Sequence, residues 1–426
     1  MSIIKLDHIT KIEGHANLYV KIQNDKVKEL RLEAVEGARY FEGFLKGRKY
    51  DEVHHIASRI CGVCSQSHLL CALKAIENAL GVKVSEQTTR LRKLILMGSI
   101  LQSHLLHLYF LALPDYFGFE SALAMTKSHK DTVLRGLKLK KLANDICTII
   151  GGRDVHCITP IIGGFSKLPT QKALNKLLER LKESRQDVIK TAKLFISFKN
   201  PSFARKKDLV SLKSDKEYAL WEGHIASIDG ISVPFSEYHK HLQEQSVKYS
   251  SAKFVTLNNN SFMVGAVARI SNNKDKLTKS ARNIIQKNKL TFPCDSPFMN
   301  NVAQAIELMH LTDTCIALLE DLKLVTEDPV KYNVKAGTGI AALEVPRGTV
   351  YHEYELNGVG EVVRANIISP TTQNLLSIEE DVKQFLPTIL KKHKQRIILD
   401  LEKLIRAYDP CISCSAHFLE VELDYV

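Results

Sequence analysis

The stretch Asp409-Pro410-Cys411-Ile412-Ser413-Cys414-Ser415-Ala416-His417 is followed by only nine residues, and its reading decides how the rest of the chain must fold. Its counterpart is Arg59-Ile60-Cys61-Gly62-Val63-Cys64, with His68 four residues on. Each half is a C-x-x-C, a spacing that holds two sulfurs near enough to share one metal centre. Thiolates bind soft and borderline metals as anions, so two such pairs make a four-sulfur site for zinc, nickel or an iron-containing centre. One pair alone would say little. Because 350 positions separate Cys61 from Cys411, the fold must bring the two ends of the chain together. That favours one interdependent domain over a row of modules.

Working outward, the composition is globular: 426 residues, 45% hydrophobic and 25% charged, suffice for a large core. No apolar run is expected to be long enough to span a bilayer, and Met1-Ser2-Ile3-Ile4-Lys5-Leu6-Asp7 lacks the apolar core of a signal peptide. A formal charge of +12 raises the question of a nucleic-acid partner. The basic residues, however, are spread along amphipathic stretches such as 135–141 and 391–396, without interleaved aromatics. Solvated helix faces account for them, and no nucleic acid is expected. Nine cysteines without a secretory signal do not read as a disulfide framework. Cys71, Cys147 and Cys315 lie in apolar helical patterns, as buried free thiols do.

Residues 16–35 alternate apolar and polar around Asn24-Asp25, which predicts a β-hairpin. From Asp51 the pattern turns helical. Ser85 is placed to cap a helix striped by Leu91, Leu94, Met97, Leu101, Leu105 and Leu108 that ends near Pro114-Asp115. Further helices are expected over 131–150, ending at Gly151-Gly152, and over 170–195 after Pro169. The middle, 200–275, reads as strands and loops, with Phe254, Val255, Val264, Val267 and Ile270 among its β-formers. Helices return at 278–288 and 300–325, a β-region paired around Asn357-Gly358 covers 339–368, and one long helix over 378–407 runs into Asp409-Pro410.

Structural zinc is the ordinary use of two C-x-x-C units, but its two knuckles usually lie within a few tens of residues, and a chain this long needs no zinc staple. Spacing therefore leaves structural zinc open and puts a catalytic or redox metal ahead of it. The identities of the residues go further. Arg59-Ile60-Cys61-Gly62-Val63-Cys64-x-x-x-His68 with Asp409-Pro410-Cys411-x-x-Cys414-x-x-His417 resembles the paired signature of the nickel-iron hydrogenase large subunit. Lys11-Ile12-Glu13-Gly14-His15, Arg39-Tyr40-Phe41-Glu42, Gly151-Gly152-Arg153-x-x-His156, Glu344-Val345-Pro346-Arg347-Gly348 and Pro370-Thr371-Thr372-x-Asn374 follow in the family's order. These segments span 11–417; the region 195–300 carries none of them.

The resemblance implies an α+β, helix-dominated fold: a single large domain over 1–417, with a central helix bundle, peripheral β-hairpins and small sheets. It implies reversible heterolytic cleavage of H2, with Cys61 and Cys411 as terminal nickel ligands and Cys64 and Cys414 bridging to an iron that carries CO and CN. Cys411 sulfur would be the first base and Glu13 the proton relay. Arg347 and Thr371 would donate to the cyanides, Asp115 would pair with Arg347 above the site, and His68 would bond a bridging thiolate. Glu42, the Ile367 carbonyl and His417 resemble the ligands of a second site for magnesium, or occasionally iron. His104 and His107 receive no role.

Two departures stand out. Lys11 occupies a position where the family usually has arginine, and 418–426 resembles a tail that a maturation endopeptidase removes after nickel-insertion factors have acted. Beyond the four ligands, the remaining cysteines have no iron-sulfur spacing, so an iron-sulfur small subunit is implied. The compact length resembles cytoplasmic enzymes coupled to NAD(P)- or deazaflavin-linked subunits. The rival readings are a non-catalytic homologue of the complex I quinone-site subunit and a structural zinc protein with a basic nucleic-acid face.

Overall fold

A computed structural model describes residues 2–37 and 40–416. His417 and the tail expected at 418–426 lie outside the described residues. The architecture is α+β and helix-dominated, in a single domain. At its centre Glu86–Leu106 packs on Lys130–Gly151, and Gln171–Ser197 packs on Met299–Asp321.

Local chemistry sets these helices as the sequence predicts. The Ser85 hydroxyl accepts the Thr88 N–H (2.9 Å) and the Thr170 hydroxyl accepts that of Ala173 (3.2 Å), each filling an orphan donor at a helix start. The helix begun at Ser85 passes through a π-helical turn, His107–Ala112, into Leu113–Phe117. Pro114 has no N–H to offer the ladder there, which accounts for the altered winding.

Small sheets surround the helices. Ser2–Leu6, Ala16–Gln23 and Lys26–Ala34 form an antiparallel meander, so the expected hairpin gains a third strand at its N-terminal side. Gly337–Val345, Gly348–Leu356 and Val362–Ile368 form another, which packs on the helix Ser65–Leu80. The approach is so close that a Cβ on Gly339 would lie 1.9 Å from the Ala75 carbonyl oxygen; only glycine fits.

Three expectations need correction. The middle segment does hold strands, from Asp208–Lys213 to Phe262–Met263, but Val267 and Ile270 lie in a helix, Ala266–Asn273. Asn300 Oδ1 accepts the Val267 N–H (3.1 Å) and starts that helix, a tertiary contact that β-propensity does not register. The long helix expected over 378–407 is two helices, Pro370–Ile389 and Lys394–Ala407. Pro387 removes a backbone donor near the end of the first, and the exposed run Lys391-Lys392-His393 has no apolar face to continue the stripe. Finally, Glu86–Phe117 and Met299–Asp321 are both long and apolar enough to cross a membrane, contrary to the expectation. Their apolar windows are 83% and 72% buried inside the fold, so their hydropathy reflects a place in the core.

Candidate metal centre

The ends of the chain meet. One sulfur from each of Cys61, Cys64, Cys411 and Cys414 lies within 4.8 Å of the others, and all four residues are buried. Cys61 Sγ is 3.4 Å from Cys411 Sγ, and Cys411 Sγ is 2.9 Å from Cys414 Sγ. The first pair is built by local structure: Cys61 follows the short turn Ser58–Ile60 and Cys64 caps the helix Ser65–Leu80. The second pair is delivered by the helix Lys394–Ala407, which stops before Pro410, and sits in the short turn Ile412–Ser415.

Two contacts seat that second pair. The Ile412 N–H donates to the Glu13 carbonyl oxygen (2.9 Å), and the Cys411 N–H donates to the Thr371 hydroxyl (2.9 Å). Gly14, with φ at +79°, lies against the same loop; a Cβ there would come within 2.9 Å of Ile412 Cβ. A side chain at that position would push the loop away.

Arg347 bridges the two pairs. Its guanidinium donates to Cys64 Sγ (3.1 Å), to Ser103 Oγ (3.2 Å), and to both the carbonyl and the carboxylate of Asp409 (2.7 and 2.9 Å). Hydrogen bonds from Cys411 and the other thiols, with the Arg347 charge behind them, hold the Cys64 thiol well below its ordinary range. Burial pushes Cys411 and Cys414 up. Four adjacent sulfurs cannot all ionise without a compensating cation; a soft metal supplies it. Donor type, number and burial therefore fit a thiolate-bound metal.

The remaining expected residues divide. Glu13 Oε2 accepts from both Cys411 Sγ (3.0 Å) and the Ser413 N–H (3.1 Å), directly on the cluster. Glu42 is buried and accepts the Ile367 N–H (3.0 Å), with Lys253 Nζ 3.7 Å away. His417, the third member of that expected set, lies outside the described residues. His68 Nδ1 is 3.0 Å from His352 Nε2, and His352 Nδ1 is 2.5 Å from the Tyr354 hydroxyl, so its ring is held by a buried relay that sequence reasoning missed.

Asp115 is the correction. It was expected to pair with Arg347, but its two oxygens take Lys11 Nζ (2.5 Å) and Arg406 (2.5 Å). Arg347 pairs instead with Asp409, two residues before Cys411. Each buried cation takes the carboxylate that the fold brings nearest, and nothing local ranks Asp115 against Asp409. Lys11, the departure from the family pattern, has its own use here: it neutralises Asp115. His104 and His107 are core residues, bonded to Glu307 (2.8 Å) and Gln304 (2.6 Å) respectively. Ser103 and Asp409 are the functional neighbours that were missed; Asp409 stood in view inside the quoted motif.

The sequence profile described as Nickel-dependent hydrogenase matches residues 39–134 and 202–417. The chain belongs to the nickel-dependent hydrogenase family. It is a hydrogenase large subunit, an oxidoreductase that acts on H2. Sulfhydrogenase 1 subunit alpha of Pyrococcus furiosus is 35% identical over 424 residues, covering 98% of each chain. Sulfhydrogenase 2 subunit alpha of the same organism is 34% identical over 425 residues, covering 98% of this chain and 100% of its own. The solved structure of an NAD+-reducing [NiFe]-hydrogenase in the H2-reduced state superposes with a TM-score of 0.88 at 25% identity, covering 98% of this chain and 100% of that one. The family match runs through most of 195–300, the region without quoted motifs, and leaves out 135–201, which holds most of two bundle helices.

Proposed function

We propose that this hydrogenase subunit cleaves H2 reversibly and heterolytically at a nickel-iron centre, with Cys61 and Cys411 as terminal nickel ligands and Cys64 and Cys414 bridging to iron. The observation that carries the reading is four buried sulfurs within 4.8 Å with a carboxylate already on one of them. When bound, the metals, with CO and CN on the iron, supply the electrophilic and redox-active centre that polarises H2. The protein supplies the rest. Cys411 Sγ stands as first proton acceptor, and Glu13 Oε2, 3.0 Å away, receives the proton from it. Glu13 lines a cavity of about 250 Å³ whose wall is mostly apolar, with Val63, Leu106 and Val155. The wall also carries Gln102, Lys140, Asn144 and Asp154, polar groups that can take the proton onward.

Arg347 is locked by Asp409 and Ser103, which fixes its Nη1 on Cys64 Sγ and holds a cation beside the sulfur site, suited to anionic iron ligands. Thr371 accepts the Cys411 N–H, which leaves its hydroxyl proton free to be donated to the second cyanide. Asp115 then acts one step out, holding Arg406 and Lys11 against the Thr10 segment that leads to Glu13. His68, oriented by His352, is placed to tune a bridging sulfur. Glu42, with the Ile367 carbonyl and His417, would hold magnesium or iron; the buried carboxylate bonded to the Ile367 peptide suits a hard cation.

Electrons need another protein. Among the described residues the four-sulfur cluster is the one group of clustered metal-ligating side chains that could hold an ion. An iron-sulfur small subunit therefore belongs to the reading, with NAD(P)-linked subunits favoured by the likeness to an NAD+-reducing enzyme. Removal of 418–426 by a maturation endopeptidase after nickel insertion completes it. Infrared spectroscopy of the purified enzyme tests the centre. Bands of metal-bound CO and CN, with nickel and iron by elemental analysis, are expected; zinc alone without those bands would refute it. Mass spectrometry of the active protein tests the processing, which fails if a full-activity enzyme retains 418–426.

A further inference from the structure

Away from the sulfurs, a cavity of about 290 Å³ opens between the helices Glu86–Leu106 and Met299–Asp321 and the segment 216–221. It shares no lining residue with the metal centre. Leu96, Met97, Leu220, Trp221 and Leu318 make its apolar walls. Three lysines, Lys93, Lys216 and Lys276, stand against two carboxylates, Glu217 in the lining and Asp275 beside Lys276. Glu217 is bound by Lys93 (2.7 Å), and Lys276 reaches Asp275 (3.2 Å) at the surface. Lys216 is exposed and has no ion-pair partner among the described residues.

One buried group points the same way. His310, 4% exposed, lines the cavity, and its Nδ1 accepts the Thr278 N–H (3.1 Å). The neutral ring therefore carries its proton on Nε2. That N–H has no hydrogen-bond partner among the described residues. Burial lowers the His310 pKa to about 4, so the ring is neutral and a donor at ordinary pH. A donor left open on a cavity wall is available to an acceptor atom on whatever occupies the cavity. Tyr218, whose ring lies 4.5 Å from that of His310, donates its hydroxyl proton to Glu307 (2.6 Å) and makes no hydrogen bond to the His310 ring.

We propose that this cavity is a binding site for a small organic anion with a flat, apolar body, such as an aromatic carboxylate or sulfonate. The apolar walls take the ring, the lysines attract the charge, and His310 Nε2–H donates to an acceptor atom on the ligand. H2 has no need of such a site, so the ligand is not the substrate of the metal centre.

Trp221 is the only tryptophan in the chain, so occupancy can be read from its emission. The full chain is titrated with anilinonaphthalene sulfonate and, separately, with its uncharged parent phenylnaphthylamine. Expected is one sulfonate per chain with energy transfer from Trp221. Lys216→Ala combined with Lys276→Ala weakens the sulfonate about tenfold and leaves the neutral dye unchanged. Thr314→Phe fills the cavity and removes the transfer signal from both dyes. Lys216 is exposed and Lys276 half-buried, neither of them a core residue, so the double variant tests the charge even if the filled variant folds poorly. The proposal is overturned if the neutral dye binds as tightly as the sulfonate, or if transfer from Trp221 survives in a folded Thr314→Phe protein.

Discussion

The two halves of the metal centre carry the same C-x-x-C yet are built in opposite ways. Cys61 and Cys64 are fixed by neighbours in sequence: a short turn, a helix cap, and a helix buried along nearly all its length. Cys411 and Cys414 have only a four-residue turn of their own and rely on distant segments: the Glu13 peptide, the Thr371 hydroxyl and the close approach of Gly14. One half is a preformed wall, and the other is a docked flap. Under the maturation proposed above, a site assembled this way takes its metals before the flap seats. Arg347 is the clasp, touching Cys64 on the wall and Asp409 on the flap.

Breaking the union altogether should have the largest effect. Cys64→Ala and Cys414→Ala each remove a sulfur from one side, and elemental analysis should show nickel lost to background in both, with no hydrogen uptake. If Cys414→Ala kept its nickel, the flap would not be a ligand-bearing half. Opening the clasp comes next. Arg347→Met strands the buried Asp409 carboxylate, for a destabilisation of about 3–5 kcal/mol in chemical denaturation; an unchanged midpoint would mean that Gln304, 3.0 Å from Asp409, carries that charge alone.

Glu13→Gln keeps the peptide that seats Ile412 but removes the proton acceptor. Nickel should stay bound while hydrogen–deuterium exchange activity falls about a hundredfold or more. Normal exchange in that variant would move the relay elsewhere. The smallest effect sharpens the picture of the flap: Thr371→Val leaves the buried Cys411 N–H without its acceptor and should cost about 1–3 kcal/mol of stability. A neutral result would show that the Glu13 peptide alone holds the loop.

Much of the helical body was legible because its signals are local. Ser85, Thr170 and Gly152 mark helix ends by chemistry that acts within a turn, and the structure uses each of them. The hairpin at Asn24-Asp25 is of the same kind, with both residues at positive φ. The failures share a cause too. Ala266–Asn273 is helical because Asn300 reaches its first turn from another helix, and Asp115 faces Arg406 because three remote segments converge there. His352 and Tyr354, which hold His68, give no local sign of doing so; they read as two residues of a strand.

The sequence by itself determined the donor set and hence the class of metal: four sulfurs in two pairs, with a carboxylate and an arginine in ordered motifs, because ligand chemistry belongs to residue type. It also determined most helix boundaries, since caps and breakers act over a few residues. Only the tertiary structure decided which charge meets which. Coulomb attraction and hydrogen bonding act over a few ångströms of space, and residues 350 positions apart in the chain acquire that distance only through the packing between them.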